Sequence, residues 1–213
     1  VRSDIQDYLK EGKNNLIRFQ VQYFNSPYKD LFIRADAGIL EEMFGGIGGE
    51  VLYRPINRKF ALGLSIHKVK QRDYDQRFAF RDYSNTTGHL SLYYDLPKGI
   101  NSQISIGEYL AGDKGITFDM SRRFKSGFTL GLFATKTNLS AEEFGEGSFD
   151  KGFYISVPTK MLYSDYTSGN ISFGLHPLTK DGGAFLTQHN SLFSILGDTN
   201  KRAIIRDWKD ILD

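Results

Sequence analysis

Charged side chains are placed on neighbouring alternating segments of the chain. Glu50 and Arg54 lie four residues apart in a segment that alternates polar and apolar residues. Arg34 and Asp36 alternate in the same way in the preceding segment. Period-two spacing puts all four on one face of adjacent strands. Two interpretations stay open: an ion-pair network that neutralises buried charges, or a polar ring that contacts a glycan.

A second concentration of polar and aromatic residues is the stretch KQRDYDQRF, from Lys70 to Phe78. Its candidate contact residues are Arg72, Asp73, Tyr74 and Arg77. Planar polar groups of this kind can bond to sugar hydroxyls, and an aromatic face can stack on sugar C–H groups. The alternative is a solvated loop held by its own ion pairs.

Other motifs predict no catalytic, metal or cofactor site. The run GGIGG, Gly45 to Gly49, lacks the Lys-Ser/Thr of a phosphate-binding loop and predicts a hairpin loop with close strand approach. The acidic loop at 142–150 does not have the spacing of an EF-hand. The four histidines are scattered, and only Ser91 beside His89 suggests a nucleophile and base, without a supporting motif. We therefore expect a protein that is not an enzyme.

Composition excludes several classes of protein. Lys and Arg number 27 against 25 Asp and Glu, which argues against a nucleic-acid binder. There is no cysteine, so disulfides and thiolate chemistry are excluded. The apolar runs are too short for a membrane-spanning helix. Aromatic residues at 14% together with 22 glycines favour a β-rich protein.

Ten segments alternate in period two and predict half-buried antiparallel strands. They cover residues 16–23, 31–39, 50–54, 60–67, 89–94, 103–107, 116–121, 128–135, 153–157 and 171–176, with a weaker eleventh at 184–192. One face is large and apolar, and the other is small or polar. Most connections are short at one end of the strands and longer at the other, with 41–48 and 70–87 among the longer ones.

These features predict an all-β fold, an antiparallel transmembrane outer-membrane β-barrel of about 10–12 strands with lipid on the apolar face. Aromatic residues near strand ends, such as Tyr23, Tyr93, Tyr94 and Phe128, fit interfacial girdles. A soluble barrel or sandwich with its apolar face turned inward is the alternative.

Three regions are predicted along the chain: a helical or linker segment at 1–13, the β-barrel at 14–196 and a short C-terminal amphipathic helix at 197–213. Asp4 to Lys10 suggests a short helix. In the C-terminal helix, Ile204, Ile205 and Trp208 share one face. This helix is expected to plug the barrel mouth, or else to bind an interface or a partner. The strand order also predicts that this chain is the C-terminal portion of a longer protein.

Several long motifs resemble the YjbH family of exopolysaccharide and capsule biosynthesis proteins, which includes the GfcD-type capsule proteins. They are EEMFGGIGGEVLYRP (41–55), KQRDYDQRF (70–78), FRDY (80–83), TTGHLSLYYD (86–95) and GEYLAGDKGITFDMSRRFKSGFTLGLFATKTN (107–138). YLKEGK near the start and RDWKDILD at the end are also similar. Together they extend over nearly the whole chain.

The resemblance implies a barrel in the outer membrane of a Gram-negative bacterium that assists export or surface assembly of a polysaccharide, as conduit or scaffold. The expected partners are outer-membrane lipid, the polysaccharide, periplasmic or outer-membrane secretion partners, and a missing N-terminal segment of the same protein. No nucleic acid and no cofactor are expected. The competing hypotheses are a structural or adhesin-like surface barrel and, third, an outer-membrane enzyme that modifies lipid or glycan.

Overall fold

The computed structural model describes residues 2–12, 15–140, 149–161, 169–175 and 181–197. Ten strands form one antiparallel sheet in which each strand pairs with its neighbours in sequence. The strands are β1 (Phe19–Tyr28), β2 (Leu31–Ile39), β3 (Phe44–Tyr53), β4 (Phe60–Arg72), β5 (Phe80–Leu96), β6 (Ile100–Glu108), β7 (Lys114–Arg123), β8 (Thr129–Thr137), β9 (Asp150–Pro158) and β10 (Asn170–Leu175). The predicted all-β antiparallel fold is confirmed, with strand number within the expected range.

The sheet is open among the described residues, since β1 and β10 form its two edges and are not paired with each other. The predicted closure into a barrel is therefore not seen here. Among the described residues, two α-helices accompany the sheet: α1 (Ile5–Glu11), close to the short helix expected at Asp4 to Lys10, and α2 (Leu192–Ile195). Among the residues that the structure describes, no helix has the length and apolar character needed to cross a bilayer.

The prediction of an eleventh strand at 184–192 is wrong. Residues 181–197, which we call the inner segment, run over one face of the sheet without strand structure and end in α2. Side-chain carboxylates accept hydrogen bonds from its backbone N–H groups: Asp113 accepts from Gly183, and Glu41 accepts from Thr187, each at 2.8 Å. Because these amides are bonded to carboxylates, they are not available for a strand ladder.

Two predicted loops are shorter than expected. The GGIGG run lies inside β3 rather than in a hairpin loop. A Cβ on Gly46 would lie 2.1 Å from the Lys68 carbonyl oxygen, and one on Gly48 would lie 2.3 Å from the His67 ring. Glycine therefore permits a close strand contact, as the sequence suggested. The long connection expected at 70–87 is reduced to 73–79, because β4 and β5 extend beyond their neighbours.

Two apolar clusters lie between the sheet and the segments that cover it. One joins α1 to the β2–β3 connection and the inner segment, and consists of Tyr8, Leu40, Met43, Phe44, Val69, Leu110, Ala184 and Leu186. The other lies toward the opposite end of the strands and consists of Leu52, Ala61 and Leu192, with Phe193 packed against it. Of the predicted site residues, Arg34, Asp36 and Glu50 lie between the two clusters along the strands.

The predicted C-terminal helix lies outside the described residues, except for Gly197. The three-region division is not tested by the structure and stays a prediction.

Candidate functional site

Arg34 is the centre of a buried charged group on the covered face of the sheet, which we call the inner face. Its guanidinium lies 3.1 Å from Asp36 and 3.6 Å from Glu50. The Asp36 carboxylate also lies 3.1 Å from the Nε2 of His67 on β4. All four side chains are buried. Pairing of this kind offsets the cost of removing charges from water.

The register of the strands brings these residues together. Arg34 on β2 pairs directly with Glu50 on β3, and alternation turns both side chains to the inner face. The sequence prediction that Arg34, Asp36 and Glu50 share a face is confirmed. His67 was not included in the predicted site, although the alternation of β4 places it on the same face as these three residues.

The inner segment provides hydrogen-bond partners for this charged group. Arg34 donates to the carbonyl oxygens of His189 and Asn190 at 3.0 and 2.8 Å, and to the side-chain oxygen of Gln188 at 2.7 Å. The Glu50 carboxylate accepts from the backbone N–H of Leu192 at 2.8 Å. Arg34 and Glu50 therefore bind the inner segment of the same chain.

Arg54 holds the end of the inner segment. Its guanidinium donates to the carbonyl oxygen of Gly197 at 3.0 Å and lies 4.7 Å from the centre of the Phe193 ring. The Tyr93 ring is also stacked on Phe193, with the two centroids 3.7 Å apart. Tyr93, expected in an interfacial girdle, thus points inward.

The four remaining predicted residues lie at the rim near α1. Arg72 is wholly buried and donates to the carbonyl oxygens of Glu41, Glu42, Gln76 and Arg77. It therefore stabilises the connections of the rim from within.

Tyr74 lies at the surface of the same rim. Its ring packs edge-on against Tyr8 at 5.1 Å, and the Arg81 guanidinium lies 4.1 Å above it. Arg81 also lies 3.7 Å from Asp73, and Arg77 is exposed. A glycan contact at these residues stays a prediction.

Hydroxyl groups line the inner face on the later strands. Tyr109, Thr117 on β7 and Thr135 on β8 form a chain of hydrogen bonds of 2.7 Å each. Farther along, the Tyr154 hydroxyl on β9 donates to Asp119 at 2.9 Å. This half of the inner face is polar but mostly uncharged.

The outer face of the sheet is apolar, and its large side chains are exposed. Val21 is 76% exposed, Leu90 57%, Leu132 60% and Phe173 61%. They lie on β1, β5, β8 and β10, so the apolar surface extends across the whole sheet.

The apolar surface ends obliquely at the rim near α1, beginning on β4. There the outward residues become polar at Lys68, which pairs with Thr86 on β5. On β6 the first polar outward residue at this rim is Glu108, which we take as the boundary of the apolar surface on that strand. It pairs with Gly88, which lies two residues after Thr86 on β5. Glu108 in turn pairs with Lys114 on β7.

The boundary continues to move in the same direction. Lys136 on β8 pairs with Ile116, two residues beyond Lys114. Lys151 on β9 pairs with Ala134, which is two residues past Lys136 toward the other rim. From β4 to β9 the boundary has shifted by six residues over five strand-to-strand steps.

The other edge of the apolar surface, at the rim away from α1, shifts in the same direction. Its last apolar residues are Phe60 on β4 and Val157 on β9, and the strand register offsets these two by four residues. Shifts of four to six residues correspond to roughly 13–20 Å along the strands against about 24 Å across them. The apolar surface is therefore a band that runs obliquely across the sheet. The strands are tilted by about 30–40° from the direction perpendicular to this band.

The chain was compared with known proteins. It matches the family model described as exopolysaccharide biosynthesis protein YbjH over residues 1–198. It is 41% identical over 205 residues to a protein of Escherichia coli (strain K12) named "Uncharacterized lipoprotein YjbH". The match covers 93% of this chain and 29% of that relative, so the chain spans under a third of its length. No solved structure matches the chain.

The family match includes the motifs from YLKEGK near the start to the long motif at 107–138, whereas RDWKDILD at 206–213 lies beyond it. The chain belongs to the YjbH family of exopolysaccharide biosynthesis proteins.

Proposed function

We propose that this chain is part of an outer-membrane β-barrel that assists the export or surface assembly of an exopolysaccharide, acting as a filled scaffold. The observation that carries the proposal is the inclined apolar band on the outer face. Strands of outer-membrane barrels are tilted by roughly 35–45° and carry an outward apolar band between polar rims. The band described above has this arrangement, and a water-soluble sheet would gain nothing from exposing it.

The aromatic residues at the rim away from α1 support the same orientation in a bilayer. Tyr53 and Phe60 lie 6.4 Å apart, and Phe124 and Phe128 lie 5.8 Å apart between β7 and β8. Aromatic side chains collect at membrane interfaces because their rings are apolar and their edges tolerate water.

The inner segment favours a scaffold over a conduit. It contacts the inner face of β1 to β5 and is fixed there by Arg34, Glu50 and Arg54. A polymer would have to displace a segment held by buried charges. The role in exopolysaccharide production is supported by the family, and a place in the cell envelope by the relative named a lipoprotein.

A non-enzymatic role is part of the proposal. The Ser91 hydroxyl lies 2.8 Å from that of Ser105, and the His89 ring packs against Tyr109 and Phe185, with centroid distances of 4.7 and 4.4 Å. Both groups are therefore engaged in packing of the inner face. Within the described parts of the chain, no three His, Asp or Glu residues are grouped so that they could hold a metal ion.

Cysteine labelling tests the membrane proposal, and the chain has no native cysteine to interfere. Leu64 points outward on β4 and is 44% exposed, whereas its neighbour Ser65 points inward. In vesicles, we expect Leu64→Cys to react with a lipid-phase maleimide and to be protected from a water-soluble one. Ser65→Cys is the matched control and should not react with the lipid-phase reagent. Labelling of Leu64→Cys by the water-soluble reagent would contradict the proposal.

Conductance separates the scaffold from the conduit. Protein that is folded in detergent, as shown by heat-modifiable electrophoretic mobility, is inserted into vesicles and checked by flotation. After fusion of these vesicles with a planar bilayer, we expect no stable conductance steps. Stable steps from the unmodified protein would favour a conduit instead.

A further inference from the structure

Three outward-facing lysines lie on three consecutive strands at the rim near α1. They are Lys114 on β7, Lys136 on β8 and Lys151 on β9, which we call the lysine row. All three are exposed. The register offsets each lysine by two residues from the next, which makes them diagonal neighbours. Diagonal neighbours are about 7–8 Å apart, so the row is roughly 15 Å long.

The lysine row is electrostatically unfavourable by itself, since like charges on neighbouring strands repel each other. The Glu108 carboxylate lies 3.8 Å from the Lys114 ammonium, but this pair is exposed and contributes little. The Lys151 ammonium lies 4.7 Å from the Phe149 ring. An anion bound from outside would relieve the repulsion along the row.

When the lysine row is included, five lysines and two carboxylates face outward along this rim of the described strands. On the outer face of the described strands, Lys68 and Lys70 lie beyond the apolar band on β4. The outward acidic residues there are Asp82 and Glu108. The outer face of the described strands is therefore positive where this rim meets the apolar band.

The lysine row borders directly on large apolar side chains. Ile116 and Phe118 follow Lys114 on the outer face of β7, Leu132 lies beyond Lys136 on β8, and Phe153 follows Lys151 on β9. A free phosphate or an acidic peptide would use the lysines and leave these side chains uncovered. A lipid uses both, because its phosphate groups and its acyl chains are joined in one molecule.

We propose that the lysine row binds the phosphate groups of a phosphorylated glycolipid of the outer leaflet, whose acyl chains lie along Ile116, Phe118, Leu132 and Phe153. This rests on the proposed membrane function. The length of the row exceeds one phosphate and suits a headgroup that carries two. The proposal also orients the protein, with α1 and the 73–79 connection on the side of that leaflet.

The test compares two triple variants with the same change in charge. One removes the lysine row, Lys114→Gln with Lys136→Gln and Lys151→Gln. The matched control removes exposed lysines at the opposite rim, Lys29→Gln with Lys98→Gln and Lys125→Gln. Each protein is reconstituted into phosphatidylcholine vesicles and checked by flotation. The retained lipid is then counted by native mass spectrometry after addition of bisphosphorylated lipid A or its dephosphorylated form.

We expect the unmodified protein and the control to retain bisphosphorylated lipid A in preference to the dephosphorylated form. The lysine-row variant should retain it ~10-fold less, since each surface lysine adds to the attraction for anionic lipid. Equal retention by the lysine-row variant and the control overturns the lipid-binding proposal and leaves the membrane function intact. A protein that does not float with the vesicles overturns both.

Discussion

The inner faces of β1–β4 and of β7–β9 are both polar, but they are stabilised in different ways. On the first group, Arg34, Asp36 and Glu50 form a buried charged group that binds the inner segment. On the second, Thr117 and Thr135 form short hydrogen bonds between neighbouring strands. Charges need a partner to remain buried, whereas hydroxyl groups satisfy each other locally. The difference indicates that the early strands depend on the inner segment and the later strands do not.

Replacement of the central arginine should show this dependence most strongly. Arg34→Met leaves Asp36 and Glu50 buried beside each other without their shared cation. We expect the free energy of unfolding to fall by about 3–5 kcal/mol. Urea unfolding of the detergent-folded protein, followed by circular dichroism, measures the change. A loss no larger than that of the Thr135 variant described below would remove the distinction between the two groups of strands.

The aromatic contact of the inner segment should have the next largest effect. Phe193→Ala removes the ring that contacts both Tyr93 and Arg54, and we expect the free energy of unfolding to fall by about 2 kcal/mol. Protease cleavage within 181–197 should also become faster, because this ring anchors α2 to the sheet. Phe193→Tyr keeps the stacking and serves as the control. Unchanged cleavage in the alanine variant would show that the charges alone hold the segment.

The hydroxyl chain should be less sensitive. Thr135→Val keeps the shape of the side chain and removes one hydrogen bond to Thr117, with an expected loss of about 1 kcal/mol. Thr86→Val, at an exposed position on β5, is the control and should change stability by less than about 0.5 kcal/mol. A loss well above that of Phe193→Ala would mean that the later strands are the more sensitive group.

The smallest expected effect is local and depends on pH. The Tyr8 hydroxyl on α1 donates to the Arg72 carbonyl oxygen at 2.5 Å, and burial raises the pKa of Tyr8 to about 12. Its contribution is complete below the ordinary tyrosine pKa near 10 and is lost as the pH rises toward 12. The protection factors of the α1 amides, which compare each exchange rate with the intrinsic rate at the same pH, should therefore fall over this interval in the native protein. Tyr8→Phe should abolish this fall, and a fall that persists in the variant would assign it to another group.

The sequence allowed the sheet to be predicted well, because period-two alternation is a direct signal of a strand with two different faces. It also placed Arg34, Asp36 and Glu50 on one face. Alternation misassigned 184–192, since irregular chain that packs one face against a sheet gives a similar pattern. Tyr93 was misread for a related reason: an aromatic residue near a strand end has the same signature whether its ring points to lipid or inward.

The partner of the charged group could not be read from the sequence. Arg34 and Gln188 are separated by 154 residues, and no local pattern connects them. The oblique course of the apolar band was equally hidden, because it depends on the strand register and on no single strand.

The distance in sequence between the charged group and the inner segment has a consequence for folding. Glu50 and Leu192 are 142 residues apart, and the inner segment follows all ten described strands. The segment can dock only after β2 and β3 have paired, so Arg34, Asp36 and Glu50 remain hydrated until the last step. Contacts of such long range form slowly. Refolding should therefore show a late phase in which the inner face loses its water after the strands have already formed.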